Sequence, residues 1–334
     1  MASIDTLAAQ TSSDNALCGY LHTATLCSTD LNAIKVFYVD GMKMTLEGPI
    51  NMIDDDFNKL KTHWNIPDDV DYDYYHLHRP SVPSLINIRL LHLKTPTPHI
   101  HKSYSSRELG PVSLGFPNAN QPQIDADLRA KGIKAMAPMQ IDEIVAGPDL
   151  KYPYWETIFK GPDFLHCVGI QRGEAVGQLS PVDPNNNYGG PGYSAFVTKD
   201  SDAELAFYTD VLDMELRADR VWEAAEGGAL GIPAGVPFRF AIIYAKGTSQ
   251  NHLLFLDYKD GVFEDPGVTP RVPNQGLGMW SFQTKDMNEV VKRAKAKNIK
   301  IQSDPSMIND PIIGKVKAMT LITPSNYLIE VFEK

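Results

Sequence analysis

The chain has 334 residues, 43% of them hydrophobic and 22% charged, which is ordinary for a soluble globular protein and gives room for about two domains of roughly 150 residues. A formal net charge of −10 without a long Lys/Arg run excludes nucleic acid and anionic membrane surfaces as expected partners, because such binding relies on cations that displace counterions. Three cysteines without C-x-x-C spacing, no basic leader and no long apolar run lead to the expectation of a cytoplasmic protein with free, mostly buried thiols.

Residues 1–17 read as a flexible N-terminus. A strand-like run, "YLHTATLCS", then ends at Thr29-Asp30. Asp30 is placed to cap a helix by accepting from its first free N–H groups. Leu31, Ile34, Phe37 and Tyr38 follow at helical spacing, and "MKMTLEGPI" returns to a strand pattern. "YYHLHRP" and "SLINIRLLHLK" are strand-like, whereas "TPTPHIHKSYSS" is loop-like. A helix, "DADLRAKGIK", and the strands of "YWETIFKGPDFLHCVGIQ" close the first half. Residues 172–192, dense in Gly, Pro and Asn, read as a linker. The second half starts with "YSAFVTK", capping Asp200, and a helix with Ala203, Phe207, Tyr208 and Val211. The runs "DMELRADRVW", "FRFAIIYAK", "HLLFLDYK", "GMWSFQT", "KVKAMTLIT" and "YLIEVFE" supply strands, and "VVKRAKAKNIK" a helix.

The halves repeat each other. "FYVDGMKMTL" at Phe37–Leu46 returns as "FYTDVLDMEL" at Phe207–Leu216, a shift of 170. Ala-Lys-Gly-Ile-Lys ending at Lys134 returns as Ala-Lys-Asn-Ile-Lys ending at Lys300. Gly132 and Asn298 are the residue types that best tolerate the left-handed position after a helix. Such a repeat implies an α+β fold of four βαβββ modules. The modules are expected to pair into an N-terminal domain, 18–171, and a C-terminal domain, 193–334. Each domain would hold a curved mixed sheet, helices outside and a pocket on its concave side. Each half would then complete its own cup, compatible with a monomer or a homodimer.

The phrase D-x-x-x-x-x-x-F-Y-x-D-x-L-x-M at Asp200–Met214 and the closing "TPSNYLIEVFE" resemble the vicinal oxygen chelate superfamily. That group includes glyoxalase I, extradiol dioxygenases and bleomycin-resistance proteins. The resemblance covers both halves and implies a metal in each cup. Its ligands would be His, Gln or Glu from the first and last strands of each module. The first-strand ligand lies seven residues before the capping residue. In the second half this count gives Tyr193 and Met279, with Asp257 and Glu330 on the last strands. In the first half it gives Thr23 and, counted to Asn118, Pro111, with Val168 as the terminal position. Glu330 is thus a ligand type in the usual place, and Asp257 a second candidate. One or two carboxylates without His make a poor transition-metal set. No cofactor is therefore expected. The alternative is a divalent Fe, Mn or Zn on the displaced ligands His22, His92 and His166, of which His166 has inward parity and His22 needs a bulge.

On a strand the two side chains of a pair such as His76-x-His78 or His99-x-His101 share a face and can chelate; the first pair lies in a strand-like run and the second in a loop-like one, and packing or surface roles are the plainer reading for both. His252 alternates into the second cup. Tyr193 can donate a hydrogen bond to an oxyanion, and an unpaired Glu330 in an apolar cup would be poised as acid or base, with Asp257 coupled to it. The chain lacks G-x-G-x-x-G, Walker, H-E-x-x-H and G-x-S-x-G motifs. The expected activity is therefore proton transfer on a hydrophobic, aromatic small molecule by a lyase or isomerase, with Glu330, Tyr193, Asp257 and His252 at its site. A metal-dependent dioxygenase or glyoxalase, and a drug-binding protein, are the alternatives.

Overall fold

Each module turns its first strand into a helix at a side-chain cap. Asp30, Asn120, Asp200 and Asp286 accept from the backbone N–H of Ala33, Gln123, Ala203 and Glu289, satisfying donors that the first helical turn leaves open. A computed structural model describes residues 16–145 and 151–334. Most of the expected flexible N-terminus lies outside these residues. Ala16 and Leu17, however, are buried, and Leu17 N–H donates to Asp213.

The first module runs β1 (Cys18–Ser28), α1 (Leu31–Ile34, continued as a π-helical turn over Lys35–Gly41), β2 (Thr45–Glu47), α2 (Asp54–Trp64), β3 (Tyr72–His78) and β4 (Asn87–Leu93). The second runs β5 (Gly110–Pro117), α3 (Gln121–Ala130), β6 (Gln140–Val145), β7 (Lys151–Lys160) and β8 (His166–Arg172). The third runs β9 (Tyr193–Val197), α4 (Ser201–Ala206, continued as a π-helical turn over Phe207–Val211), β10 (Glu215–Glu223), β11 (Pro237–Tyr244) and β12 (His252–Tyr258). The fourth runs β13 (Gly276–Thr284), α5 (Met287–Ala296), β14 (Lys300–Asp310), β15 (Gly314–Ile322) and β16 (Leu328–Glu333). The repeated phrase is thus the π-helical turn and the entry to the next strand, with Phe37, Tyr38, Phe207 and Tyr208 buried. Gly132 and Asn298 both take positive φ, 80° and 55°.

Two eight-stranded sheets result, in the orders β14-β15-β16-β13-β1-β4-β3-β2 and β10-β11-β12-β9-β5-β8-β7-β6. The modules therefore pair one with four and two with three. This corrects the division into halves 18–171 and 193–334, because each sheet draws on both halves. Periodicity marks modules, but not which sheet edges meet. The expected linker is also not a spacer. It joins β8 to β9 inside one sheet, and it is packed. Gly189 N–H donates to Asn118 at 3.0 Å, and a Cβ on Gly189 would lie 1.7 Å from the Pro117 carbonyl oxygen.

One large core lies between the sheets. It joins Leu21, Ala24, Leu26 and Phe282 of one sheet to Leu114, Phe116, Phe196 and Phe255 of the other, with helix residues Ile34, Ile124 and Val290. The alternate residues of each strand face away from this core and form the two cups. Cys18, Cys27 and Cys167 are free and buried. Among the described residues no helix is long and apolar enough to cross a membrane.

Candidate functional site

In the first cup, Thr25 sits beside Arg89 and Ser281 beside Glu330. Thr25 and Ser281 each lie five residues before a cap, Asp30 and Asp286, so Arg89 and Glu330 hold equivalent places on the last strands. Arg89 is fully buried at the centre. Its guanidinium lies 3.1 Å from Glu330 and 3.0 Å from Asp310. It also donates to Thr25 Oγ1 at 3.0 Å, to Ser281 Oγ at 3.4 Å and to Tyr74 Oη at 3.1 Å.

Helix α2 closes this cup. Phe57, Leu60 and Trp64 recur at helical spacing behind Asp54, Asp55 and Asp56, whose charges favour a helix N-terminus. The Trp64 indole N–H donates to Glu330 at 2.7 Å, and its ring lies 4.7 Å from the Arg89 guanidinium carbon. Burial pushes the Glu330 carboxyl up, but the Arg89 charge and contacts to His63 and Trp64 outweigh it and hold the group well below the usual carboxylate range. Glu330 is therefore a locked anion rather than a poised acid or base, which corrects the expectation for an unpaired carboxyl. The metal that the resemblance implies does not fit this cup. Thr25, Arg89, Ser281 and Glu330 offer one carboxylate, already paired to an internal cation that fills the centre.

The second cup is different. The positions five residues before Asn120 and Asp200 are Gly115 and Ala195, and Val168 and Leu254 sit beside them. None of these four offers a metal ligand. Because Asn120, not Asn118, caps α3, the count of seven moves from Pro111 to Ser113. Asp257 lies further along β12, where it accepts from Ser201 Oγ at 2.7 Å and from Lys259 Nζ at 2.5 Å. It belongs to the other sheet from Glu330, so the expected coupling of the two carboxylates is overturned.

Tyr193 and His252 are brought together as register partners. Their rings stack at 4.9 Å and 14°, and Tyr244 meets His252 at 4.8 Å. The Tyr193 ring fills the space that a side chain on Gly115 would need, since a Cβ there would lie 2.0 Å from it. Burial, then the Arg172 charge, pushes His252 down to about 3, so it is a neutral imidazole, and its Nδ1 is buried without a hydrogen-bond partner. Burial, then Glu156, pushes the Tyr193 phenol well above its ordinary value.

Glu156 is the residue that sequence reasoning missed. On β7 it lies opposite Ile170, and Ile158 lies opposite Val168, which puts Glu156 on the face that carries Tyr193. Burial pushes its carboxyl up to about 7. A signal for it exists in the sequence: in "YPYWETIF" the alternation that turns Ile158 inward turns Glu156 inward too. Segment 224–236 folds over this cup. Ala229 N–H donates to Gln140, Ser106 Oγ donates to the Leu230 carbonyl at 2.6 Å, and Leu230 packs with Ile158, Val168 and Tyr193.

The displaced-ligand alternative gains no set. A bulge between Leu21 and Thr23 supplies the irregularity that His22 required, and His22 Nδ1 lies 2.7 Å from Thr23 Oγ1. His92 faces Asp73 at 3.7 Å. His166 belongs to the other sheet, where its Nε2–H donates to the Tyr104 carbonyl at 3.0 Å. His101 uses both nitrogens, on Glu108 and on the Pro111 carbonyl, each at 2.8 Å.

Residues 190–331 match the family described as Glyoxalase/Bleomycin resistance protein/Dioxygenase superfamily. No curated protein matches the chain. Among solved structures, glyoxalase I from Zea mays is similar at 14% identity and a TM-score of 0.60, covering 94% of this chain and 92% of that one. A mutant form of the same maize enzyme gives 15% and 0.62 over the same shares. A putative dioxygenase from Bacillus subtilis gives 11% and 0.51, covering 95% of this chain and 86% of its own. At such identities the likeness speaks to fold alone. Residues 190–331 thus carry the matched family's pattern, and the chain as a whole, with four modules in two sheets, has the fold of the two-domain maize glyoxalase I.

Proposed function

We propose that the second cup is the reactive one, and that it moves a proton on a small hydrophobic, aromatic molecule as a lyase or isomerase. The observation that carries this reading is Glu156, a carboxyl raised to about 7 on the same wall as Tyr193 and His252. A group with that pKa changes protonation readily at neutral pH, which suits an acid–base catalyst. In the cycle, the Glu156 carboxylate takes a proton from an acidic carbon. The Tyr193 phenol donates a hydrogen bond to the oxygen on which charge develops. Protonated Glu156 then returns the proton, to a second carbon in an isomerase or to the leaving group in a lyase. Neutral His252, stacked on Tyr193, holds that ring in place. Phe238, Phe240 and Tyr258 supply aromatic surface further along the same cup.

Segment 224–236 would act as the cover. Gly227, Gly231 and Gly235 hold positive φ of 67°, 65° and 78°, which lets this segment turn back over the cup.

The test uses a panel of aromatic carbonyl compounds incubated with the protein in D2O, with mass spectrometry of the recovered compound. Exchange or conversion of a panel member is expected, and Glu156→Gln should slow it by about 10²–10⁴-fold. Full activity in Glu156→Gln would overturn the role of Glu156. A stoichiometric complex that releases every tested compound unchanged would replace the enzyme reading with sequestration.

A further inference from the structure

One histidine pair is absorbed neither by the packing nor by the second cup. His76 and His78 lie on β3, two residues apart and hence on one face, and Glu47 lies on the neighbouring edge strand β2. Backbone pairing sets Glu47 opposite His76 and Thr45 opposite His78. The imidazole rings stack at 4.1 Å and 14°. Glu47 spans both, with one oxygen 3.0 Å from His78 Nε2 and the other 3.9 Å from His76 Nδ1. One donor atom from each residue falls within 4.8 Å of the others, and this is the one such group of His, Cys, Asp and Glu among the described residues.

Two further features point to an ion rather than to a simple ion pair. First, the His76 ring is oriented from behind. Asn87 Nδ2 donates to the His22 carbonyl, which leaves Asn87 Oδ1 to accept from His76 Nε2–H at 2.8 Å. The proton is thus on Nε2, and the Nδ1 lone pair faces Glu47. An oriented imidazole of this kind is how metal-binding histidines are held. Second, His78 Nε2 is buried and makes no hydrogen bond of acceptable geometry, in spite of its short approach to Glu47. The side chains of His76 and His78 are 16% and 18% exposed and that of Glu47 is 55% exposed, so ion and water can reach the group.

We propose that Glu47, His76 and His78 bind a divalent transition-metal ion of the zinc class at the edge of the first sheet. A zinc ion sits about 2.0–2.2 Å from nitrogen and carboxylate donors. It therefore holds its donors within about 4.4 Å of one another, which asks for only a small closure of this group. Three protein donors leave a fourth position for water. The site is separate from the superfamily's ligand positions on the first and last strands. By tying the three-residue edge strand β2 to β3, the ion stabilises the folded chain through linkage. The inference is independent of the reading of the second cup.

The experiment titrates the tag-free full chain with Co2+, followed by absorption, and with Zn2+, followed by calorimetry and thermal unfolding. One equivalent of Zn2+ is expected to bind and to raise Tm, and Co2+ should give a visible ligand-field band that Zn2+ displaces. His78→Ala and Glu47→Gln should each weaken binding by at least about 10-fold and remove the rise in Tm. His92→Gln should leave both unchanged. Glu47 is exposed, so its variant keeps the fold and remains informative if His78→Ala unfolds. Absence of binding at millimolar ion, or binding that both variants retain in full, overturns the proposal.

Discussion

Arg89→Met is expected to lower the unfolding free energy at pH 7 by about 3–5 kcal/mol, the cost of leaving buried carboxylates without their cation. Glu330 and Asp310 both face Arg89 at about hydrogen-bonding distance, and both are buried. The Met side chain replaces the volume of the guanidinium stem but not its charge. The deficit should depend on pH in a definite direction. Glu330 has a folded pKa below its unfolded value, so its contribution is present above the unfolded value and is lost as the pH falls through the folded one. Arg89→Met removes the cause of that depression. Its deficit should therefore be largest at and above neutrality and should shrink as the pH falls, because burial without Arg89 raises the Glu330 carboxyl, which is then protonated in the variant while it is still ionised in the wild type. A further replacement, Glu330→Gln with Asp310→Asn in the Arg89→Met background, should recover part of the loss, because no buried charge then remains unpaired. Urea unfolding at pH 7 and pH 4 checks all three statements. A deficit that grows toward acid would contradict the assignment of Arg89 as the internal cation.

Glu156→Gln is expected to have the opposite profile. Glu156 has a folded pKa of about 7 against an ordinary value of 4.5. Its stabilising contribution is thus fully present below about pH 4.5 and is lost as the pH rises through 7. A Gln resembles the protonated acid and does not titrate. The variant should therefore match the wild type at low pH and exceed it at pH 8 by about 1–2 kcal/mol, a value reduced for the partial exposure of the side chain. The same substitution should remove proton transfer. Greater stability paired with lost turnover is the signature of a strained catalytic group rather than a scaffold one. Thermal unfolding of both proteins across pH 4–8 measures it.

The two profiles show how the chain sorts its carboxylates, and how much of that sorting could be read from the sequence. The modules were legible because their signals are local. Asp30 and Asp200 cap helices that begin at the next residue, and Gly132 and Asn298 accept positive φ directly after theirs. Tyr193 and His252 were legible as inward positions because strand alternation is also local. The partner of Glu330 was not legible. Arg89 is 241 residues away in sequence, and the two meet because module one pairs with module four. Asp257 was misplaced by three positions relative to Leu254, since a count from sequence lacks the sheet register. Helix α2 was missed although Phe57, Leu60 and Trp64 have helical spacing, because it is an insertion that the repeat does not contain. Glu156 was missed because the family pattern directs attention to first and last strands, whereas β7 is neither.

Glu330, at the position where the resemblance expects a ligand, is a locked structural anion, and we propose Glu156 as the protonatable group of the second cup. Carbon-13 NMR of glutamate side-chain carboxyls, titrated from pH 4 to 9 and assigned with Glu156→Gln and Glu330→Gln, tests both assignments together. A Glu156 midpoint near 7 and a Glu330 signal that stays ionised throughout are expected. A Glu156 midpoint in the ordinary carboxylate range, or a Glu330 signal that titrates near neutrality, would contradict these assignments.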